Sequence, residues 1–563
     1  MVMASGSPGH AAKKQKRVIN DPTSDSIALL PGEAYAVSGI GTLMIDSGEV
    51  NLNGAHLMTG ARVQICAESG PRGALHLQAT QQGASIQVPY SGEACALVEL
   101  QPFSPPVQEA GSDRPAQALT AVPCTDAGWP TEWQTALSQL AMSAASNTLP
   151  SPFSACICGT RGVGKSSFAR LLVNHLLSHA PEVAFLDLDC GQPELTVPGL
   201  ISLHTLTQPL FGRPHTHQRP PDKAVFIGDI TPAADPPAFV SAAAQLYTAY
   251  LAGSTAQASR VPSLVINTPG WVKGMGLDVL SAVLRQIAPS HVVVLASGNP
   301  SKDPPGGSFW QLPQASHQSS PASMVVTLPA AASGVGEHRP SAPDSRAQAW
   351  LAFARACVSP DASATSILEG TSASFAAAAA DLAAHAPYVI SLDSVTCKVL
   401  HDSSLPKDQL PSILNAAVVG LVVNPGSKSS SAGSEAGDPE QPSAAQEQGN
   451  CVGIGIVRAV DAKQRMLYLL TDIRLERLQQ VREVRVGRLE LPHSLLHGGA
   501  VRSPYLSPWC ITSSGTGAGP LHSRSIQCAQ ADHQSAAVQF RCSVDWFGMG
   551  LTPYPAVDLD QQV

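Results

Sequence analysis

The chain has 563 residues, of which 44% are hydrophobic and 13% are charged, and its formal net charge is −8. This length holds about two to four domains with buried cores, and the acidic balance excludes a uniform basic coat for nucleic acid but not a local basic groove. The 12 cysteines include no C-x-x-C pair, which predicts reduced thiols in an intracellular protein and neither a disulfide framework nor a zinc site. The longest apolar stretch, ILNAAVVGLVV from Ile413, is too short to span a bilayer, so no membrane partner is expected.

The N-terminal part of the sequence predicts a basic tail followed by a small β domain. Residues 13–17 read KKQKR, which fits either a nuclear import signal or a solvated basic tail. Short β segments such as AYAVSGIGTLMI and ARVQICA follow, separated by Gly, Asn and Pro with no helical period. We therefore expect a disordered tail over residues 1–28, an all-β domain over 29–105 and a linker over 106–145.

Apolar strands and helical stretches alternate in the next part of the chain. The segments FSACIC, VAFLDLD, AVFIGDI, SLVINTPG and HVVVLAS are predicted buried strands, and helical segments such as LDVLSAVLRQIA separate most of them. This alternation predicts an α/β fold over residues 146–358, a parallel sheet with helices on both faces. A disordered insert rich in Pro and Ser is expected at about residues 300–343.

The C-terminal part alternates low-complexity and β-rich segments. Residues 359–386 are rich in Ala and Ser and are expected to form a linker. The segments AAVVGLVV, CVGIGIVRAVD and RMLYLLT predict a β-rich domain over residues 387–563, with a low-complexity insert at 425–450. The basic run at residues 474–488 favours a solvated amphipathic helix, with RNA contact as the alternative.

A glycine loop, GTRGVGKSS, follows the first strand of the α/β region and fits the pattern G-x-x-x-x-G-K-[ST]. Glycines let backbone N–H groups point at phosphates, the lysine reaches the β and γ phosphates, and the following hydroxyl faces Mg²⁺. The loop therefore predicts that the α/β sheet is of the P-loop NTPase type and that it binds a nucleoside triphosphate, but the loop does not choose among a GTPase, an ATPase and a kinase. The residues expected to bind it are Gly159, Thr160, Arg161, Gly162, Val163, Gly164, Lys165, Ser166 and Ser167.

Two aspartates stand at the end of the second strand, in LDLDCGQPE. Asp187 and Asp189 have the same parity in the strand, so both can face one side of it. Carboxylates beside a P-loop can hold Mg²⁺ or accept a proton from an attacking hydroxyl. Ser166, Asp187 and Asp189 are therefore the candidate metal ligands, although Asp187 has the alternative of capping a neighbouring loop.

The fourth strand ends in NTPGWVKG, which differs from the D-x-x-G switch of a GTPase. Asn267 stands where that switch has Asp, and no N-K-x-D at the expected spacing follows the next strand, which disfavours guanine recognition. Trp271 offers a stacking face for a base. The alternative is that Trp271 packs in the core, as tryptophan commonly does.

Together these motifs resemble the polynucleotide 5′-hydroxyl kinases of RNA processing. The P-loop, DLDCGQPE and TPGW follow one another in that family's order. The segments NTPGWVKGMGLDVL and CVGIGIVRAVD…LYLLTDI…VGRLELP are similar to its nucleolar branch, which acts on ribosomal RNA precursors. The resemblance covers residues 30–300 and 385–495.

The resemblance implies that the protein phosphorylates 5′-hydroxyl RNA ends from ATP and Mg²⁺ during processing of internal transcribed spacer 2. It implies a place in the nucleus, in the nucleolus, beside an endonuclease partner that cleaves this spacer. Lys165 and Asp189 would be catalytic, with Asp189 activating the 5′-hydroxyl, and a lid would bring arginines to the phosphates. The implied lid residues are Arg339 and Arg346, with Arg355 as a further candidate, and the implied RNA-binding residues are Gln192, Thr268, Pro269, Gly270 and Trp271.

Two other functions stay open at this point. The first is a scaffold that holds a nucleotide as a structural ligand within an endonuclease complex. The presence of a complete candidate catalytic set disfavours it. The second is a GTPase switch, which the missing N-K-x-D makes the least favoured of the three.

Overall fold

The structure of the protein is a computed structural model that describes residues 26–29, 34–67, 75–87, 120–124, 129–146, 152–255, 261–310, 323–331, 340–359, 372–400, 410–423 and 449–496. The basic run at residues 13–17 and the lid candidate Arg339 lie outside the described residues. The described chain holds an N-terminal antiparallel sheet, a central mixed sheet and a C-terminal mixed sheet. None of the described helices combines the length and apolarity that a membrane crossing needs.

The N-terminal sheet confirms the predicted all-β domain. Its strands are β1 (Ser26–Leu29), β2 (Ala34–Leu52), β3 (Ala55–Met58), β4 (Arg62–Ala67), β5 (Leu75–Gln87) and β6 (Thr120–Cys124). The long strand β2 pairs antiparallel with β3, β4, β5 and β6. Val37, Leu43 and Ile45 are buried along β2 and pack with Ile65 and Leu77. Their odd-numbered spacing follows the two-residue period of a strand with one buried face.

The central sheet confirms the predicted α/β fold. Its elements are α1 (Thr131–Ala145), β7 (Ser154–Gly159), α2 (Lys165–Leu177), β8 (Val183–Asp187), β9 (Leu200–Leu206), β10 (Lys223–Phe226), α3 (Pro236–Thr255), β11 (Ser263–Asn267), α4 (Met275–Ile287), β12 (His291–Ala296) and β13 (Met324–Pro329). Within the described ranges the strand order is β10-β9-β8-β11-β7-β12-β13. The strands β8, β11, β7, β12 and β13 are mutually parallel.

The sheet has the parallel core predicted from the sequence, but it is mixed, because its β9–β10 edge is antiparallel. Strand β9 runs antiparallel to β8, and β10 runs antiparallel to β9. An antiparallel neighbour needs no crossover helix. The chain accordingly passes from β8 to β9 through a loop without an α-helix.

Helices cover both faces of the central sheet, as predicted. Phe239 of α3 and Val283 of α4 pack on one face with Cys156 and Cys158 of β7. Helices α1 and α2 pack on the other face with the alternate residues of β7, such as Ile157. The cysteines whose side chains the structure describes are free thiols, namely Cys156, Cys158, Cys190, Cys357, Cys397 and Cys451.

Two segments expected to lack structure contribute elements to these sheets. Residues 106–145 were expected to be a linker, but they contain β6 and helix α1. Trp133, Leu137 and Leu140 form a buried stripe on α1, at the spacing of an amphipathic helix. The expected insert at 300–343 contains β13, where the run MVVTLP pairs along its whole length with β12.

The C-terminal sheet confirms the predicted β-rich domain and covers the edge strand β10. The elements of this part are α5 (Ala342–Val358), α6 (Ser372–Ala384), β14 (Tyr388–Ser391), β15 (Thr396–Val399), α7 (Leu410–Leu414), β16 (Val418–Val423), β17 (Asn450–Asp461), β18 (Met466–Leu470), α8 (Leu475–Leu478), β19 (Glu483–Val486) and α9 (His493–Leu496). Phe226 of β10 packs in one cluster with Val418 and Val422 of β16. The Arg488 N–H donates to the Gly228 carbonyl at 2.6 Å.

Two expectations for this part are corrected. The Ala/Ser-rich segment 359–386 contains α6, and the carbonyls of Leu382 and Ala383 in its last turn and of the following His385 accept hydrogen bonds from the buried guanidinium of Arg458. The basic run 474–488 is not one amphipathic helix, because only the four residues of α8 are helical before strand β19 begins. Arg485 is buried in that strand beside Glu483 instead of facing solvent. The alternation in EVRV has the period of a strand, and pairing with β16 and β15 decides its conformation.

Candidate active site

The glycine loop links the end of β7 to the start of α2, at the carboxyl edge of the parallel strands. Gly164 has φ of 103°, and a Cβ atom there would lie 2.8 Å from the Trp133 ring. Any other residue would therefore be strained at this position and would also clash. Helix α2 begins at Lys165, so its free N–H groups face the loop and favour an anion.

Lys165 is folded into the loop. Its side chain is buried, and Nζ donates a hydrogen bond to the Thr160 carbonyl at 3.1 Å. Burial lowers the pKa of this lysine, while the negative charge of Asp189 opposes that shift. The ammonium group of Lys165 therefore lies within the glycine loop, where a phosphate would bind, and the carboxylate whose charge acts on it is that of Asp189.

Asp187 ends strand β8 and is buried. Its Oδ1 accepts hydrogen bonds from the Asp189 N–H at 3.1 Å and the Asn267 amide at 3.0 Å, and its Oδ2 accepts from the Glu194 N–H at 2.6 Å. Burial raises the pKa of Asp187 to about 7, although the hydrogen bond from the Glu194 backbone opposes the shift. This carboxyl group is thus occupied in holding the acidic loop, residues 187–194, in one conformation.

Asp189 takes a different position in the same loop. It is half-buried, and its Oδ1 accepts hydrogen bonds from the N–H groups of Gly191 and Gln192, both at 3.0 Å. Its charge acts on Lys165 and on Arg346. Of the two predicted aspartates, Asp189 is therefore the one that the structure places beside the P-loop lysine with an open side.

The predicted RNA clasp, residues 268–271, follows strand β11 and touches the glycine loop. The Thr268 side chain is buried, and its hydroxyl donates to the Ile157 carbonyl at 2.7 Å. A Cβ atom on Gly270 would lie 2.9 Å from the Arg161 Cα. The hydroxyl of Thr268 thus ties the clasp to β7, and the backbone of Gly270 lies directly against the glycine loop.

Trp271 is half-buried, between the two alternatives that its sequence left open. It lines a small apolar pocket between α3 and α4, whose walls include Leu188, Pro232 and Phe239. Pro269 and Thr268 of the clasp line the same pocket. The indole therefore has one side supported by the protein and keeps a part of its surface exposed.

Of the candidate lid arginines in the described chain, Arg346 lies at the site. Helix α5 starts with a capping box in which Ser341 and Asp344 exchange hydrogen bonds, and this places Arg346 near the helix start. Burial lowers the pKa of Arg346, the charge of Arg161 lowers it further and Asp189 opposes both. Arg355 lies two and a half turns further along α5, about 13 Å away along the axis.

The chain matches known proteins over both of its larger parts. Residues 159–309 match a family model described as the mRNA cleavage and polyadenylation factor CLP1 P-loop, and residues 383–492 match the NOL9-like C-terminal domain. A protein of Arabidopsis thaliana named polynucleotide 5′-hydroxyl-kinase NOL9 is 31% identical over 393 residues, which cover 68% of this chain and 97% of that protein. The chain belongs to the polynucleotide 5′-hydroxyl-kinase NOL9 family.

Other members of the NOL9 family match over shorter shares of their own length. The Danio rerio protein is 28% identical over 384 residues, covering 65% of this chain but 50% of that protein. The Homo sapiens protein is 40% identical over 141 residues, which are 25% of this chain and 19% of that protein. A solved complex of Clp1p with Pcf11p has a TM-score of 0.52 at 14% identity, covering 83% of this chain and 98% of that one, so the fold is shared.

Within this NOL9-family site, sequence reasoning missed the role of Asn267. It is buried, and its amide group donates to Asp187 at 3.0 Å. An aspartate here, as in a GTPase switch, would set two buried carboxylates against each other, which is unfavourable. The departure from D-x-x-G was visible in the sequence, but its physical reason needs the neighbouring strand β8.

Sequence reasoning also missed a buried ion-pair group, formed by Glu194, His217 and Arg170, that supports the acidic loop. The buried Glu194 carboxylate lies 2.9 Å from His217 Nε2 and 3.3 Å from Arg170 Nε. Burial alone would raise the pKa of Glu194, but Arg170 and His217 outweigh it and the pKa is lowered. These residues connect the acidic loop with α2, which carries Arg170. Only the letters GQPE, already part of the motif, indicated this group in the sequence.

Proposed function

We propose that the protein transfers the γ-phosphoryl group of ATP to the 5′-hydroxyl end of an RNA. The observation that carries this proposal is the contact of the clasp with the glycine loop at Gly270 and Arg161, beside Lys165 and Asp189. A phosphate donor on the loop and an acceptor held by the clasp would meet at that point. The names of the family members support the same reaction.

The chemistry follows from the charges at this point. The 5′-hydroxyl oxygen bonds to the γ-phosphorus while the bond from that phosphorus to the β–γ bridging oxygen breaks, and ADP leaves. In this proposal Asp189 accepts the hydroxyl proton. Lys165, Arg161 and Arg346 would balance the charge on the phosphoryl oxygens, since phosphoryl transfer depends on positioning and electrostatic stabilisation.

We propose that Ser166 and Asp189 hold Mg²⁺ together with the phosphates of ATP. Mg²⁺ binds through one or two carboxylates plus substrate phosphates, and it prefers oxygen ligands. Ser166, at the start of α2, and half-buried Asp189 offer such oxygens, whereas both oxygens of Asp187 accept hydrogen bonds within the protein. The ion would supply positive charge to the phosphates, and Asp187 would orient the loop.

We propose that the clasp and the adjacent Gln192 hold the RNA end. Trp271 stacks on the terminal base with its exposed surface, an interaction that tolerates any base. Thr268 acts through its buried hydroxyl, which fixes the loop, while Pro269 and Gly270 shape the path past the glycine loop. Gln192 is half-buried next to Asp189, on the acceptor side of the site.

We propose a 5′-hydroxyl end of a ribosomal RNA precursor, produced by endonuclease cleavage in internal transcribed spacer 2, as the substrate. The NOL9-like match over residues 383–492 supports this choice. A nucleolar location and a partner endonuclease that cleaves the spacer are parts of the same proposal. Depletion of the protein should then leave spacer intermediates with 5′-hydroxyl ends. A ligation assay that requires a 5′-phosphate measures this, because the amount of ligated spacer RNA should fall. Unchanged 5′-phosphate ends would argue against this substrate.

Transfer of labelled γ-phosphate from ATP to a 5′-hydroxyl RNA oligonucleotide tests the activity. We expect label with the wild type and a loss of at least about 100-fold in kcat for Lys165→Ala and Asp189→Asn, because each removes a charge that acts on the reacting groups. The same oligonucleotide with a 5′-phosphate is the control and should take no label. ATP binding without transfer in the wild type would contradict the kinase proposal and favour the scaffold.

A further inference from the structure

The second residue of helix α4, Gly276, lies directly against the indole of Trp271. A Cβ atom on Gly276 would lie 2.3 Å from Cγ, 2.5 Å from Cδ2 and 2.6 Å from Cδ1 of that ring. Real Cβ atoms do not approach other heavy atoms to within 3.0 Å. The indole therefore occupies the space that the side chain of any other residue at position 276 would fill.

The surroundings leave the ring little room to yield. The neighbouring Val272 and Thr268 are buried, and Gly270 is packed against Arg161, so the backbone on both sides of Trp271 is fixed. The apolar pocket beside the ring is lined by residues of α3, α4 and the acidic loop, including Leu188 and Phe239. A ring pushed off Gly276 would have to turn towards solvent or into this pocket.

We infer that Gly276 is a positioning residue for RNA, which sets the orientation of Trp271 and through it the affinity for the terminal nucleotide. This inference rests on the proposed function. It assigns no contact with ATP to Gly276, because the surrounding atoms that a Cβ would meet belong to the indole and not to the glycine loop. Gly276 should therefore affect the RNA acceptor and leave the nucleotide side unchanged.

Gly276→Ala tests the inference, with Gly253→Ala as the matched control. Gly253 lies in the neighbouring helix α3 and is exposed, and a Cβ atom there would meet nothing within 4 Å. We expect Gly276→Ala to raise the KM for 5′-hydroxyl RNA about tenfold, within the range that one lost base stack produces. The KM for ATP and kcat at saturating RNA should stay within about twofold of the wild type, and Gly253→Ala should change none of the three.

A double-mutant cycle separates positioning from a general structural effect. If Gly276 acts through the indole, Gly276→Ala should add nothing to the KM of Trp271→Ala, because the affected group is already gone. The smaller ring of Trp271→Phe in the Gly276→Ala background should lower the KM for RNA again. Additive effects in the cycle, or a parallel rise in the KM for ATP, would overturn the inference.

A readout without catalysis keeps this inference distinct from the kinase proposal. With 5-fluorotryptophan incorporated, the ¹⁹F signal that disappears in Trp271→Phe belongs to Trp271. We expect this signal to shift in Gly276→Ala and to stay in place in Gly253→Ala, whether or not RNA is phosphorylated. An unshifted signal in Gly276→Ala would contradict the positioning role, whereas absent phosphate transfer with a shifted signal would contradict only the proposed function.

Discussion

At the scale of single residues, the two aspartates of the acidic loop differ because of their partners. Asp187 is buried, and its two oxygens accept three hydrogen bonds, whereas Asp189 is half-buried and interacts with Lys165. Their sequence parity is the same, so only the position of neighbouring strands separates them. Asn267, on strand β11, donates a hydrogen bond from its amide to the buried carboxyl group of Asp187, which compensates in part for the loss of water.

Asn267→Asp should therefore destabilise the protein. It replaces a donor by a second buried carboxylate beside Asp187, and an uncompensated buried charge costs about 3–5 kcal/mol. Chemical denaturation at pH 8 measures the change, and the loss should shrink near pH 5, where the pair can share a proton. Asn299→Asp, the same change at an exposed residue, is the control. Equal losses in the two variants would show that burial beside Asp187 is not the cause.

At the scale of elements, helix α1 supports the glycine loop from the side. Trp133 is buried, packs edge-on against Phe168 of α2 with ring centroids 5.2 Å apart, and donates from Nε1 to the Pro329 carbonyl at 2.8 Å. It also lies against Gly164 in the loop itself. A helix from a segment expected to be a linker thus holds together α2, β13 and the nucleotide site.

Trp133→Ala should weaken both stability and ATP binding. The large cavity should lower the free energy of unfolding by about 3–5 kcal/mol, and the released glycine loop should bind ATP less tightly. Denaturation curves and calorimetric titration with ATP measure the two effects. Met142→Ala on the same helix is the control, because that side chain is 73% exposed. A destabilised variant with unchanged ATP affinity would contradict the support of the loop by α1.

At the scale of the whole molecule, side chains far apart in sequence join the three sheets. Asn174 of α2 donates to the Asn53 carbonyl of the N-terminal sheet and to the Leu210 carbonyl, both at 3.0 Å. The Asn450 side chain at the start of β17 accepts from the Ala224 N–H of β10 at 3.1 Å. The central sheet is thereby fixed to the N-terminal and C-terminal sheets, and its stability depends on groups buried between them.

Two buried histidines should each make the folded protein less stable as the pH falls, whereas burial raises the pKa of Asp187 to about 7 and of Asp472 to about 6, which acts in the opposite direction. Burial lowers the pKa of His204 to about 3, with Arg219 adding to the shift, and burial lowers the pKa of His215 to about 3, with Arg213 and His217 adding to it. Both histidines stay neutral in the folded protein, whereas in the unfolded chain they bind protons below pH ~6.5. Each should therefore lower the free energy of unfolding by ~1.4 kcal/mol for every pH unit between pH ~6.5 and ~3.

Denaturation of the wild type and of histidine variants at pH 7.5 and pH 5 measures this contribution as the difference between their slopes. His204→Gln and His215→Gln should each reduce the slope, and the double variant should reduce it by the sum, since each removes one titrating group. An unchanged slope in the double variant would assign the pH dependence to other groups.

The sequence by itself determined the nucleotide loop, the order of the family motifs and the alternation that gives an α/β core flanked by β-rich parts. These features are encoded in contiguous residues, since glycine spacing and apolar periodicity act locally on the backbone. The tertiary structure decided which aspartate faces Lys165, why Asn267 replaces an aspartate, and how Arg346 reaches a loop about 180 residues earlier in the chain. It also decided that β9 and β10 form an antiparallel edge and that the indole of Trp271 packs against Gly276. Burial, charge and close contact depend on segments that only the folded chain brings together, which is why periodicity and spacing do not contain them.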